Sequence, residues 1–491
     1  MSAGWHTDWE EASARLHAFA LFGTPCAAMA LLWITPPADL PAEAWRVAVV
    51  TLWMALWWMT EAVPLAVTAL LPLILFPMVG VRSIEDTAAS YAHPLIFLFL
   101  GGFMLARAME RWGLHRRLAV QVARAGGARP DHVIASLMGA TAFLSLWISN
   151  TATAMVMLPI GQSLVISSRE SHGAAAQAHD DFAPALMLGI GYAATIGGMG
   201  SLIGTPPNAL LAGFMKTTYG IEIGFAQWML IGLPVVLILL PVTWWLLTRI
   251  SFRISDGRHL DRLTGSLGQT QPMSVAEKRV ATVMISVALL WIFRPLVDRL
   301  FPAVALSDPA IAIIGAMLLF VVPAGMAKRE SLLTWNDVAT IRWDILILFG
   351  GGLALAAGIA SSGLAERIGN ASAAWDHLPP LLLLTGATVV IVYLGELASN
   401  TAMAAVFLPV AGAMAVGMGA APISLALPIT LAASLGFMLP VATPPNAIVF
   451  GSGAVTVKQM LRAGAILDVI GILVVLAIGT LLGPIVFSTD G

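Results

Sequence analysis

Apolar stretches of about 20 residues recur along the whole chain, among them 16–35, 225–247 and 463–487, each long enough to cross a bilayer as a helix. Short segments with polar alternation are missing, and Gly and Pro sit inside the apolar runs, so the spans are expected to be helices and not barrel strands. Hydropathy and charge together predict about eleven crossing helices plus two apolar segments that turn back. The first of these, 132–166, has no acidic or basic side chain besides His132. It is too long for one pass and short for two. Arms of about 17 residues reach roughly 26 Å each, just short of a crossing, which predicts a re-entrant hairpin with Ser149-Asn150-Thr151 at its tip. The segment 379–414 reads the same way around Ser399-Asn400-Thr401 and enters from the opposite face.

The two segments are copies. Gly101, Gly102, Gly113, Leu114, Ser149, Asn150, Thr151, Leu158 and Pro159 return 250 residues later as Gly351, Gly352, Gly363, Leu364, Ser399, Asn400, Thr401, Leu408 and Pro409. Thr205-Pro206-Pro207-Asn208-Ala209 returns as Thr443-Pro444-Pro445-Asn446-Ala447 at a shorter offset. A long basic loop after Arg249 separates the halves. The helix 95–109 is expected to run inward and its copy 345–358 outward, so the repeats are read as inverted. Inverted repeats with broken apolar segments at matching positions are the sequence signature of a secondary transporter, with the substrate held between the halves near the midplane.

Charge orients this arrangement. Arg111, Arg116, Arg117, Arg124 and Arg129 fill one connection, and Arg249, Arg253, Arg258, Arg262, Lys278 and Arg279 fill the longest; both are expected in the cytoplasm. The connections with Lys328, Arg329 and Arg342, and with Lys458 and Arg462, fall on the same side. The amino terminus is then inside and the acidic tail 488–491 outside, in a bacterial-type inner (plasma) membrane. Residues 1–17 are acidic and amphipathic, with no cleavable signal pattern. The chain is 58% hydrophobic and 11% charged with a net charge of −2, which fits no soluble mixture and suggests no nucleic-acid partner. The single cysteine, Cys26, excludes an internal disulfide and is expected as a small core residue.

Unwound backbone at membrane depth survives only where protein or a wet cavity satisfies its amides and carbonyls, so the two tips are expected to meet inside. The paired prolines of the breaks remove amide donors and disfavour helix at the preceding threonine. The freed carbonyls of Gly204 and Ala442 suit a small hard cation. Hydroxyls, side-chain amides and helix N-termini at the tips suit carboxylate oxygens. No lysine or arginine lies between Arg129 and Arg169, Arg169 and Lys216, or Arg367 and Lys458, so the four motifs bring no fixed positive charge. A bare dianion at that depth is costly, and bound sodium would offset it. A lone Ser-Asn-Thr in a span is ordinary interhelical hydrogen-bond glue; its duplication, each copy with its own Thr-Pro-Pro-Asn, argues for a site. The intramembrane acids Glu61, Glu396, Asp344 and Asp468 are functional candidates by default; Glu61 and Asp344 stand near helix ends, where capping or interfacial exposure is the favoured account. Glu396 adjoins the second tip, where structural hydrogen bonding and a protonation role both fit. Trp57, Trp58, Trp244 and Trp245 read as interfacial belt or packing residues.

The doubled Ser-Asn-Thr, the doubled Thr-Pro-Pro-Asn and the stretch Trp57-Trp58-Met59-Thr60-Glu61-Ala62-Val63-Pro64-Leu65 resemble the divalent anion/sodium symporter family over nearly the whole chain. The resemblance implies an all-α polytopic homodimer whose protomers have scaffold and transport domains. It implies an elevator motion that carries succinate, malate, fumarate or related di- and tricarboxylates with sodium and no prosthetic group. On that division 1–90 are N-terminal scaffold helices. The first repeat, 91–248, holds an inward hairpin 132–166 and a broken helix 183–216. A cytoplasmic linker, 249–280, and second-half scaffold helices, 281–340, follow. The second repeat, 341–491, holds an outward hairpin 379–414, a broken helix 423–455 and a last helix 461–487. Carried over by position, the first sodium site uses Ser145, Ser149, Asn150 and Gly204, and the second Gly395, Ala398, Asn400 and Ala442. Substrate carboxylates meet Ser149, Asn150, Thr151, Thr205, Ser399, Asn400, Thr401, Thr443 and Pro444. Gly395 departs from the family, which often has a threonine hydroxyl there.

Sodium-coupled symport of a C4-dicarboxylate is the reading these residues favour. A sodium-independent dicarboxylate exchanger and a citrate or sulfate symporter of the same fold share the motifs. An intramembrane enzyme built on His93, His132 and the buried acids lacks any metal-type His spacing or Ser-His constellation. A channel needs ion-lining rings in place of opposed hairpins.

Overall fold

A computed structural model describes residues 19–37, 40–125, 127, 129–172, 181–252, 254, 272–303, 306–325, 330–372 and 377–487. The amino-terminal segment, Arg253, Arg258, Arg262, Lys328, Arg329 and the tail 488–491 lie outside them. Among the described residues every regular element is a helix; the one β feature is an isolated bridge between Pro323 and Ser331. Seven helices of the described residues are long and apolar enough to cross a membrane, Ile84–Arg111, Asn150–Ser168, Phe225–Ser251, Val275–Leu300, Trp343–Ser361, Asn400–Gly417 and Val457–Val486, with six shorter apolar helices among them.

Local sequence sets the helix starts. Prolines open Pro94–Arg111, Pro130–Ser145, Pro206–Tyr219, Pro380–Gly395, Pro422–Ala433 and Pro444–Gly451, because the first-turn amide they lack has no partner in a helix anyway. Ser274 and Thr456 close capping boxes with Glu277 and Gln459 ahead of the two long spans Val275–Leu300 and Val457–Leu481. The helix order of the first half recurs in the second. Gly113 and Gly363, which end equivalent helices, both have left-handed φ, 70° and 78°.

The turned-back segments differ from the expected equal arms. Their first arms, Pro130–Ser145 and Pro380–Gly395, have 16 residues each, but the return arms Asn150–His172 and Asn400–Gly417 have 23 and 18. Hydropathy fixed the expected end at Ile166, yet hydropathy does not stop a helix; Ser167, Ser168 and Arg169 continue it without a breaker. Cys26 is exposed and not a core residue, because Thr24–Trp33 buries only Thr24 and Ala28.

Ion pairs join three of the basic connections to one another. Arg111 pairs with Asp337 and Glu330, Arg117 with Glu277 at 2.9 Å, and Arg249 with Asp131 at 3.2 Å. A separate cluster joins Arg294 to Glu222 at 3.1 Å and Lys216 to Glu222 at 3.0 Å. Hydrogen bonds from Lys216 and Arg294 hold the Glu222 carboxyl below its usual range.

Candidate functional site

Each tip is a short turn that ends one helix and starts the next. Pro130–Ser145 stops at Ser145 and the chain restarts as helix at Asn150; Pro380–Gly395 stops at Gly395 and restarts at Asn400. In the breaks, Phe182–Gly198 gives way to Pro206–Tyr219, and Pro422–Ala433 to Pro444–Gly451. Thr205 (φ −140°, ψ 142°) and Thr443 (φ −140°, ψ 149°) are extended, as a residue before proline prefers.

The break loops are tied from within. Asn208 Nδ2 donates to the carbonyls of Gly198 (3.2 Å), Met199 (3.4 Å) and Ser201 (2.7 Å). Asn446 Nδ2 donates to those of Gly436 and Leu439, both at 3.0 Å, which stand 238 residues after Gly198 and Ser201. These asparagines therefore shape the breaks and, fully buried, do not face the cavity.

Both tips and both breaks line one cavity of about 520 Å³. Ser149, Asn150, Thr151, Gly204 and Thr205 enter it from the first half. Ala398, Ser399, Asn400, Thr401, Ala442, Thr443 and Pro444 enter it from the second. Ser145 and Gly395 do not line it and lie buried. The facing wall carries the cavity's charges: Glu61, Arg342 and Asp344. Glu61 ends Ala42–Thr60 with a left-handed φ of 46°. Arg342 stands just before Trp343–Ser361 and holds Asp344 through Nη2 at 2.8 Å and Nε at 2.9 Å, both side chains about half exposed. Arg342 also lines a second cavity of about 190 Å³ that reaches Ser149 and Thr151 past Arg107 and Glu110.

At the first tip the outer amide atom of Asn150 lies 2.7 Å from Ser145 Oγ and 3.1 Å and 3.2 Å from the carbonyls of Ala194 and Gly204. With the amide oxygen turned inward, it joins the Ser145, Ala194 and Gly204 oxygens around it in a group of four, a donor set that fits sodium. With the NH2 inward, the same side chain donates to all three neighbours and holds the cradle shut. Gly204 has no room for a side chain, since a Cβ would lie 2.5 Å from the Gly198 carbonyl. The second tip is emptier. Asn400 Oδ1 is buried without a hydrogen-bond partner among the described residues, and Gly395 supplies no hydroxyl. A Cβ on Gly395 would meet only the Leu435 carbonyl, at 3.8 Å. This second set fits a cation with fewer oxygens.

A family profile described as the sodium:sulfate symporter transmembrane region matches residues 17–489. The chain belongs to this symporter family. It is 40% identical over 463 residues to the sodium-dependent dicarboxylate transporter SdcS of Staphylococcus aureus strain bovine RF122 / ET3-1, covering 92% of this chain and 89% of that protein. The SdcS of strain USA300 is 39% identical over the same coverage. Among solved structures, the chain is similar to the Alcanivorax borkumensis YdaH transporter, with a TM-score of 0.54 and 13% identity over 81% of this chain and 87% of that one. It is also similar to Neisseria gonorrhoeae MtrF, with a TM-score of 0.56 and 15% identity over 81% and 83%. At such identities the likeness concerns the fold alone. As a member of this symporter family the chain is a multi-pass membrane transporter and not an enzyme. His93 accordingly caps Pro94–Arg111, its Nδ1 accepting from Leu95 N at 3.3 Å, and His132 is exposed.

Several symporter residues had no sequence signal. Arg342 is distant in the chain from both tips, Ala194 contributes a backbone carbonyl, and Ser201 acts only through the loop it holds. Trp58, read as belt or packing, is buried with its indole N–H on the Leu65 carbonyl at 3.1 Å.

Proposed function

We propose that the protein carries C4-dicarboxylates such as succinate, malate and fumarate together with sodium. The observation that carries this reading is the pairing of an uncharged, oxygen-rich double cradle with a facing wall that holds Arg342. Sodium in the cradle of Ser145, Asn150, Ala194 and Gly204, and in the sparser one of Gly395, Ala398, Asn400 and Ala442, supplies positive charge where the motifs have none. One carboxylate then meets Ser149, Asn150, Thr151 and Thr205, and the other Ser399, Asn400, Thr401, Thr443 and Pro444. The N-termini of Asn150–His172, Asn400–Gly417, Pro206–Tyr219 and Pro444–Gly451 add partial positive charge. Arg342 trades Asp344 for the anion as it arrives. The naming of the SdcS relatives as sodium-dependent dicarboxylate transporters agrees with this.

In this reading the tips and breaks form a transport domain that moves as an elevator against a scaffold carrying residues 61–66 and 342–348. The halves are inverted repeats with about eleven crossings. The protomers pair in a bacterial plasma membrane, with the amino terminus in the cytoplasm and the carboxyl terminus outside. Proteoliposome uptake of labelled succinate tests the reading. It is expected to need an inward sodium gradient and to be competed by malate and fumarate. Uptake driven by internal dicarboxylate without sodium would establish exchange instead, and competition by citrate or sulfate alone would move the substrate class.

A further inference from the structure

The halves differ at one buried pair. In the first half Leu146 and Val236 flank Gly200: a Cβ there would lie 2.5 Å from Leu146 Cδ2 and 3.0 Å from Val236 Cγ2. The position 250 residues after Leu146 is Glu396. Gly232 packs on the Met199 carbonyl and Gly464 on the Phe437 carbonyl; Val236 and Asp468 each stand four residues beyond that glycine. An apolar pair in one half is thus an acid pair in the other.

The two acids are not equivalent. Glu396 is 3% exposed, and its oxygens accept the amides of Met438 and Leu439, both at 2.8 Å. Asp468 is fully buried, and neither of its oxygens receives a hydrogen bond from the described residues. Beside it stand Glu396 and the Tyr192 phenol. The Phe437 amide is near without closing a hydrogen bond, and Tyr192 donates its proton to the Phe437 carbonyl at 2.8 Å. Among the described residues no base offsets the pair: Lys458 and Arg462, in the first turns of the same helix, are exposed, and Arg249, on the neighbouring segment Leu246–Ser251, pairs with Asp131. Two ionised carboxylates side by side in such a site cannot persist together.

We propose that Asp468 is a proton-binding site, its neutral carboxyl donating an O–H to Glu396, separate from the two sodium-type cradles. One proton completes the pair without further ligands. A sodium ion would need several unclaimed oxygens, and the Phe437 carbonyl is already taken by Tyr192. Because Glu396 also holds the loop before Thr443, the proton controls how firmly that loop is bound to the second tip. Its release would set two like charges face to face and loosen the loop.

Isotope-edited infrared spectra of the full chain in membranes test this. The wild type is expected to show, at neutral pH, the C=O stretch of a protonated carboxylic acid shielded from solvent. Asp468→Asn, whose NH2 can still donate to Glu396, is expected to lose that band, with sodium-dependent thermal stabilisation unchanged. The pair Glu396→Leu with Asp468→Val, which reinstates the first-half packing, is expected to lose it as well. Absence of the band in the wild type overturns the proposal whether or not either variant folds. Its persistence in Asp468→Asn also overturns it. A wild-type band that disappears as NaCl is raised, or a weakened sodium response in Asp468→Asn, would instead assign the pair to sodium.

Discussion

In the first half the break loop is fastened to its tip by a hydroxyl: Ser201 Oγ donates to the Leu146 carbonyl at 2.5 Å and accepts from Gly204 N at 3.0 Å. In the second half the fastening runs the other way. Leu439, the counterpart of Ser201, offers its backbone amide, and Glu396, the counterpart of Leu146, accepts it with a carboxylate. The carbonyl cores match as well, Met199 receiving the Trp228 indole N–H at 3.0 Å and Phe437 the Tyr192 hydroxyl. Equivalent geometry thus rests on neutral hydrogen bonds in one half and on charge-assisted ones in the other. After duplication the backbone path was retained while the side chains that enforce it diverged.

The strongest way to break the comparison is at the break itself. Gly204→Ala is expected to abolish uptake and lower stability, because its Cβ must displace the Gly198 carbonyl and overpacking costs about 1–3 kcal/mol even where backbone can yield. Ala442→Gly, at the equivalent position, is expected to retain folding and most uptake. Uptake by the purified variants in proteoliposomes reads both.

Next come the two asparagines. Asn150→Ala and Asn400→Ala are both expected to stop transport, since each amide serves cation and anion. Only Asn150→Ala should also lower the melting temperature, because Asn150 is locked onto Ser145 while Asn400 Oδ1 has no partner among the described residues. Equal melting temperatures would erase the proposed difference between a closed and an open cradle.

The fastenings give a smaller effect. Glu396→Gln is expected to cost about 1.5–3 kcal/mol, the range for hydrogen bonds to a charged group, and Ser201→Ala about 0.5–1.5 kcal/mol, the range for neutral ones. Thermal unfolding in detergent ranks them; the reverse order would mean that Glu396 is not the principal tie.

Smallest is Gly395→Thr, which restores a hydroxyl where the first half has Ser145. It is expected to raise apparent sodium affinity up to roughly tenfold, and substrate affinity at low sodium by linkage. Sodium titrations of uptake decide it. An unchanged midpoint in a well-folded variant would remove Gly395 from any cation site.

The tips and breaks were legible because duplication repeats a rare polar pattern inside apolar surroundings, and paired prolines dictate a helix stop wherever they fall. Glu396 was legible as a residue for structural hydrogen bonding or protonation, but its hydrogen-bond partners were not, since they are backbone amides 42 and 43 residues away. The Ala194 carbonyl left no trace, because any residue offers one. Arg342 escaped because the absence of basic residues along the motifs says nothing about what the opposite wall presents. Cys26 was misplaced because a residue's size and polarity do not reveal which stripe of a span its helix turns inward.

The Asn208 and Asn446 amides, each on the helix that follows its break, bind carbonyls at the end of the preceding helix or in the connecting loop, so neither break can straighten without stripping these acceptors from a buried donor. A binding cradle stitched in this way resists the local bending by which a loop gate opens. That fits the elevator motion proposed above, in which access changes through relative displacement of larger pieces, with the cradle carried intact past the wall of Glu61, Arg342 and Asp344. Crosslinks that join the arms of a single break should be harmless to transport, whereas one crosslink between that wall and either tip should arrest it.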